Sequence, residues 1–224
     1  MIIVGADISI NSTGLVKLNL DDKDLSIKSV DWVGFTDVIK TQKIYQDNLK
    51  LVPKEFDNYI ERTIWMNRWI KEYCRFASYV AIEDYSFGSK GKSFHIGGFT
   101  EFIKLNWYTT GINIRTYDIV EIKKFAVGNC NAKKHEMVKR CLEINPFDLS
   151  KLDDGTEKSR EKSPLTDIVD AYWITNMLHT ELLLRRGEIL LKDLDENGIW
   201  AFNRTTKTNK ENILCRPFLC KHEC

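Results

Sequence analysis

Ser163-Pro164-Leu165-Thr166-Asp167-Ile168-Val169-Asp170-Ala171-Tyr172-Trp173-Ile174 decides how the rest of the chain is read. The stretch opens a helix: Ser163 is a good N-cap, and Pro164 suits the first helical position, where its missing N–H is not needed. Asp167 and Asp170 fall three residues apart, so both carboxylates leave one face near the helix start. Ile168, Val169, Tyr172, Trp173 and Ile174 give the helix apolar faces to bury. Two neighbouring acids repel unless something positive lies between them. They either complement the positive end of the helix dipole or form half of a divalent-metal site. The second reading needs more carboxylates from elsewhere in the chain.

Two strands supply them. Met1–Ile8 is an apolar, β-branched run that carries Asp7 near its end. Tyr79-Val80-Ala81-Ile82-Glu83-Asp84 repeats the device, a short buried strand ending in acid. In an open sheet with helical crossovers, sites form where strands end at the carboxyl edge. Asp7 and Glu83 become neighbours if their strands are adjacent and parallel. Taken singly, each also fits a turn-capping acid.

The surrounding pattern is a mixed α/β one. Asn11-Ser12-Thr13-Gly14 is turn chemistry, and Leu15–Leu20 and Leu25–Val33 alternate as strands of an antiparallel meander. Residues 34–52 have little periodicity and read as loop with a short helix. Pro53–Arg75 reads as a long helix with a core stripe of Phe56, Ile60, Ile64, Trp65, Trp69, Ile70 and Tyr73. Ile96–Thr110 reads as a second helix, in which Gly97-Gly98 suggests close approach of another helix or of DNA. Gly111–Tyr117 is a further strand, and a helix running to Asn145 follows Lys133-Lys134. Asp148–Lys162, charged and nearly without apolar residues, reads as a mobile connection. The helix at Ser163 continues to about Arg186. Residues 1–192 form one domain, and residues 193–224 a basic Cys/His-containing tail.

Composition describes an ordinary globular protein with one core and an appendage: 43% of the 224 residues are hydrophobic and 29% charged. The start of the chain lacks the basic region of a signal peptide, and no apolar run approaches the roughly 20 residues of a membrane span. The six cysteines show no disulfide framework, which suits a reducing cytoplasm. A net charge of +1 leaves a nucleic-acid partner to be decided by local charge. Two windows carry it. Tyr85-Ser86-Phe87-Gly88-Ser89-Lys90-Gly91-Lys92 mixes lysines, glycines and rings, a composition suited to tracking a phosphate backbone and propping a base. Lys123-Lys124 and Lys133-Lys134 bracket a Gly-Asn turn. Both windows also fit a solvated surface loop. At the carboxyl end Cys215, Cys220, His222 and Cys224 offer four soft ligands to a structural Zn²⁺, in a spacing that matches no common pattern.

Four acids on two strand ends and a late helix suit hard Mg²⁺ or Mn²⁺, whose remaining shell phosphate oxygens complete. Two such ions, about 3.5–4 Å apart, serve in-line hydrolysis of a phosphodiester. A sugar-directed acid/base pair fits less well, since no sugar-stacking cleft is apparent.

In this order of elements and acids the chain resembles the ribonuclease H-like superfamily, and within it the RuvC-type Holliday junction resolvases, especially those of bacteriophages. The matching stretches are Gly5-Ala6-Asp7-Ile8-Ser9 with Ser12-Thr13-Gly14, Val80-Ala81-Ile82-Glu83 with Ser86 to Gly91, Ile122-Lys123 through Lys133-Lys134, and Ser163-Pro164 with Asp167-Ile168-Val169-Asp170-Ala171. They span about residues 1–180. The resemblance implies an α/β fold with a mixed five-stranded sheet flanked by helices. It implies that Asp7, Glu83, Asp167 and Asp170 bind two Mg²⁺ ions, and that Lys123 and Lys134 contact phosphates. It implies a homodimer that nicks two symmetric strands of a four-way junction in the host cytoplasm, with Gly97-Gly98 near the twofold axis. The family's wedge aromatic falls here on Ser86, flanked by Tyr85 and Phe87. The expected catalytic set is therefore Asp7, Glu83, Asp167, Asp170 and Lys134, and the expected DNA contacts are Lys90, Lys92, Lys123, Lys124, Lys133, Tyr85 and Phe87. Two other readings stand beside junction resolution: a nuclease of forks, flaps and Y-branches, and a non-catalytic DNA-binding module. Four unneutralised carboxylates argue against the last, since they repel phosphate.

Overall fold

The computed structural model describes residues 1–10, 12–53, 56–84 and 93–208, and the side chains of these except 93–96 and 205–208. Its strands are β1 (Ile2–Asp7), β2 (Gly14–Leu20), β3 (Ile27–Thr36), β4 (Leu49–Leu51), β5 (Tyr79–Glu83) and β6 (Asn113–Tyr117). They form one mixed sheet in the order β4-β3-β2-β1-β5-β6. β1, β2 and β3 make the antiparallel meander, and β5 and then β6 add in parallel beside β1. These five strands match the ribonuclease H-like expectation. The three-residue β4 extends the far edge in parallel with β3, in a stretch too short to read as a strand. Its partner segment α1 (Ile39–Gln42) buries none of its residues.

Alternation along each strand sends successive side chains to opposite faces, and two cores result. Val4, Ala6, Leu15, Val33, Val80 and Ile82 meet helices α2 (Tyr59–Tyr73) and α3 (Ser93–Thr109). Ile3, Val16, Leu18, Trp32 and Ala81 meet α4 (Ile119–Val127), α5 (Lys134–Ile144), α6 (Leu165–Arg186) and α7 (Glu196–Thr208).

Local chemistry sets most helix ends. In α2, Asn58 accepts from the Glu61 N–H at 3.0 Å. In α4, Asp118 and Glu121 form a reciprocal capping box, and Gly128 closes the helix at φ 79°. Asn145 closes α5 in the left-handed region. In α6, Arg185 and Arg186 sit in the last turn before Gly187. That helix starts one residue later than expected: Pro164 is its N-cap, and the Ser163 side chain makes no cap.

Further expectations change. The first long helix is Tyr59–Tyr73 rather than Pro53–Arg75, and only Met66 and Ile70 of it are fully buried. Ile60 (67%) and Ile64 (57%) of the expected core stripe face outward, because the helix rests on the sheet through its other side. Asp148–Lys162 is anchored rather than loose. Leu149 is buried, Arg160 pairs with Asp153 at 2.8 Å, and a 3-10 turn at Ser159–Glu161 packs beside α5. Beyond residue 192, α7 packs on α4, with Ala201 and Phe202 fully buried and the rings of Phe125 and Phe202 at 5.9 Å. No helix among the described residues is long and apolar enough to cross a membrane.

Candidate metal-binding active site

The carboxyl ends of β1 and β5 lie side by side. Their register pairs Ala6 with Ile82, so Asp7 and Glu83 follow as neighbours. Alternation then decides direction. Asp7 shares the face of Ile3 and Gly5, and Glu83 that of Ala81, so both acids turn toward α6. Three glycines on this face let α6 lie directly on the strands. A Cβ at Gly5 would overlap the Ala171 carbonyl and the Thr175 backbone, and one at Gly14, paired with Asp7, would overlap the Asp167 carbonyl. Gly34, paired with Gly14, admits the Ile168 side chain. The start of α6 is thus seated over the ends of β1 and β2, bringing Asp167 and Asp170 to the first two acids.

Charge shows the convergence. Burial raises the Asp7 pKa well above the usual carboxylate range, and repulsion by Asp170, Asp167 and Glu83 adds to it. Glu83 is pushed up to about 7 by burial and then by Asp170. Burial also raises Asp170, although Lys134 and Lys123 pull it down. Lys134, at the first position of α5, places its Nζ 3.3 Å from an Asp170 oxygen. Burial works against that ammonium, but the charges of Asp170, Asp7 and Asp167 outweigh it and raise its pKa. Acids raised by burial first and by one another second are short of positive charge. An all-oxygen donor set of this kind fits a hard divalent cation.

Asp167 differs from the other three. It is 5% exposed, and both its oxygens already have donors. The Ser12 hydroxyl gives a short hydrogen bond to Oδ2, and the Thr166 hydroxyl lies 3.2 Å from Oδ1. The sequence shows Ser12 as a turn residue within a stretch that carries the resemblance, but nothing in it announces a partner 155 positions away.

The other expected residues divide. Lys123 lies close enough to lower the pKa of both Glu83 and Asp170. Lys124 is turned to structure: its Nζ donates to the Gly128 carbonyl at 2.8 Å and stands over the Trp200 ring. Lys133 is exposed at the N-cap of α5. Tyr85, Phe87, Lys90 and Lys92 lie outside the described residues, as do Cys215, Cys220, His222 and Cys224 of the proposed zinc site.

Among the described residues, one group of three ligand-type side chains has its atoms within 4.8 Å of one another: His135, Glu157 and Glu161. The His135 ring nitrogen lies 3.1 Å from both glutamates, and the contacts fasten the loop before α6 to α5. No three of Asp7, Glu83, Asp167 and Asp170 close to that distance, as expected for like charges.

A second buried charge cluster was not anticipated. On β6, the Arg115 guanidinium pairs with Glu181 of α6, through Nε at 2.9 Å and a closer NH2 contact. Tyr117 Oη donates to the same carboxylate at 2.6 Å, and Arg185 Nε at 2.8 Å. It locks the second half of α6 to β6, and so fixes the helix whose first half carries Asp167 and Asp170.

No model of a known protein family matches the chain, and no curated protein matches it. Solved structures do. The RuvC of Thermus thermophilus superposes with a TM-score of 0.53 at 18% identity, over 84% of this chain and 98% of that one. The T. thermophilus RuvC in complex with Holliday junction substrate gives the same TM-score and identity, over 97% of that chain. The fowlpox virus Holliday junction resolvase is more distant, with a TM-score of 0.45 at 14% identity, over 80% of this chain and 99% of that one. The chain shares the fold of RuvC.

Proposed function

We propose that this protein is a metal-dependent endonuclease that resolves four-way DNA junctions by paired, symmetric nicks. One observation carries the reading: Asp7, Glu83 and Asp170, with Asp167 behind them, meet at the carboxyl edge of a RuvC-like sheet, with Lys134 against Asp170. The solved RuvC complex, which holds a Holliday junction substrate, supports the choice of substrate.

Asp7, Glu83, Asp167 and Asp170 are the residues to hold two Mg²⁺ or Mn²⁺ ions. Such ions, when bound, supply an activated water and neutralise charge on the phosphate and the departing 3′ oxygen. Lys134, reaching Asp170 from the start of α5, is in this reading the residue that holds a phosphate oxygen at the rim of the acid cluster. Lys123 adds charge on the same side, and Lys133, exposed next to Lys134, extends the basic edge toward the flanking backbone. Lys124, bonded to Gly128, is not part of this set. The nuclease functions all fall within residues 1–192, with residues 193–224 an accessory to them.

Paired nicking needs two sites, and a homodimer supplies them. The outer face of α3 supports that reading. Gly98 has open space above it, and Phe102 (38%) and Leu105 (58%) are exposed nearby. The place of action is the cytoplasm, where Cys74, Cys130 and Cys141 are free thiols.

The test is cleavage of a synthetic four-way junction with each strand labelled in turn, in Mg²⁺, beside a Y-fork and the Asp7→Asn variant. Paired nicks in opposed strands of the junction, absent in the variant, support the proposal. Equal cutting of fork and junction makes the protein a general debranching nuclease, and no metal-dependent nicking by the parent overturns the reading.

A further inference from the structure

The turn between β1 and β2 is held more firmly than a connecting loop requires. Thr13, fully buried, donates its hydroxyl to the Ser9 carbonyl at 2.6 Å and accepts from the Ser9 N–H at 3.1 Å. The Phe35 N–H donates to the Thr13 carbonyl at 3.0 Å. Arg62 of α2 reaches across to the Ile10 carbonyl, Nε to oxygen 2.9 Å. The turn is therefore clamped by itself, by β3 and by α2. Out of this clamp Ser12 extends one hydroxyl, which lies 3.1 Å from the Phe35 carbonyl and closer to Asp167 Oδ2. A hydroxyl has one proton to give, and the nearer of its two acceptors is Asp167 Oδ2.

We propose that Ser12 is a positioning residue for Asp167: its hydroxyl, braced on the β1–β2 turn, fixes the rotation of that carboxylate and so presets the metal site. The proposal deepens the nuclease reading and rests on it. Around Asp7, Glu83 and Asp170 repulsion favours spreading, so those carboxylates must be drawn together when a cation enters. Asp167 needs no such ordering, because Ser12 and Thr166 hold both its oxygens and its backbone carbonyl rests on Gly14. Each oxygen keeps a second lone pair for a cation. Partners that orient a metal ligand in this way typically change metal affinity 10–100-fold when removed.

The experiment compares the full-length parent with Ser12→Ala, Ser12→Thr and Ser12→Val. Threonine keeps the hydroxyl, and valine has nearly the same shape without it. Mn²⁺ affinity is read by calorimetry without DNA, junction cleavage is titrated with Mg²⁺, and the unfolding midpoint is recorded in EDTA. Ser12→Ala and Ser12→Val are expected to bind Mn²⁺ about 10–100-fold more weakly and to need correspondingly more Mg²⁺, recovering most of the parental rate at saturation. Ser12→Thr should follow the parent. The Thr/Val comparison still decides the matter where the alanine variant folds poorly. Equal Mn²⁺ affinity for Thr and Val overturns the proposal, as does a loss of affinity that only tracks the unfolding midpoint. Failure of the parent itself to bind Mn²⁺ or to cleave would instead remove the nuclease reading beneath it.

Discussion

Replacing Glu83 by glutamine should make the metal-free protein more stable at alkaline pH. Glu83 sits at the end of β5, with its carboxyl pushed from the ordinary 4.5 to about 7 by burial first and by Asp170 second. A raised carboxyl pKa means that the folded chain holds this proton more tightly than the unfolded chain does. Stability is therefore favoured at low pH and lost as pH rises from the unfolded value through the folded one. At about 1.4 kcal/mol per unit, the full shift costs about 3 kcal/mol once both states are ionised. Between about pH 5.5 and about pH 8 the loss from this one group is roughly 2 kcal/mol, or about 4–8 °C in the unfolding midpoint of a chain this size. Asp7 and Asp170 are shifted in the same direction, while the buried His179 works against them across this window, so the Glu83 contribution is read from the difference between parent and variant. The assay is urea or thermal unfolding in EDTA at both pH values, for the parent and Glu83→Gln. The parent should lose stability toward pH 8 and the variant should lose distinctly less, while saturating Mg²⁺ should stabilise the parent far more than the variant. A variant with the same pH slope as the parent in EDTA would refute the claim that the acids are crowded and short of counter-charge.

Other expectations concern cleavage and the seating of α6. Asp170→Asn should abolish junction cutting yet keep or tighten DNA binding, because it removes one charge that repels phosphate; a mobility-shift titration showing greatly weakened binding would contradict this. Lys134→Ala should slow cleavage and reduce the salt dependence of DNA binding by up to one phosphate contact, a slope change of about 0.9, measured across a salt series. Gly14→Ala should destabilise by at least about 1–3 kcal/mol, since its Cβ meets the Asp167 backbone, and should also impair Mn²⁺ binding. Glu181→Ala leaves Arg115, 2% exposed, without its carboxylate, and should cost about 3–5 kcal/mol in urea unfolding.

Periodicity and strand-end acids made much of the candidate site's placement readable. Two apolar runs that each end in a carboxylate gave the strands β1 and β5, and Asp167, Asp170 and the apolar residues between and after them gave the late helix. That β1 and β5 are parallel neighbours stayed open until the sheet register settled it. What misled was the assumption that an apolar stripe is a buried one. Of that stripe Ile70 is buried and Trp65 and Tyr73 pack on the core beside Met66, yet Ile60 and Ile64, with the same spacing, are exposed. Periodicity gives the face of a helix without saying which layer, or which copy of the chain, will cover it. Lys124 shows the same limit for charge, since composition cannot tell a lysine that caps Gly128 from one that waits for phosphate.

By itself the sequence determined the mixed α/β order, the carboxyl-edge placement of Asp7 and Glu83, and the pairing of Asp167 with Asp170, because each depends on spacing within one element. Only the tertiary structure decided which hydroxyl holds Asp167, which cation faces Asp170, and that Arg115 and Glu181 fasten the helix bearing both acids. Those contacts join residues far apart in the chain. Their existence depends on how closely α6 settles onto glycines 5, 14 and 34, a distance set by packing and written in no local pattern.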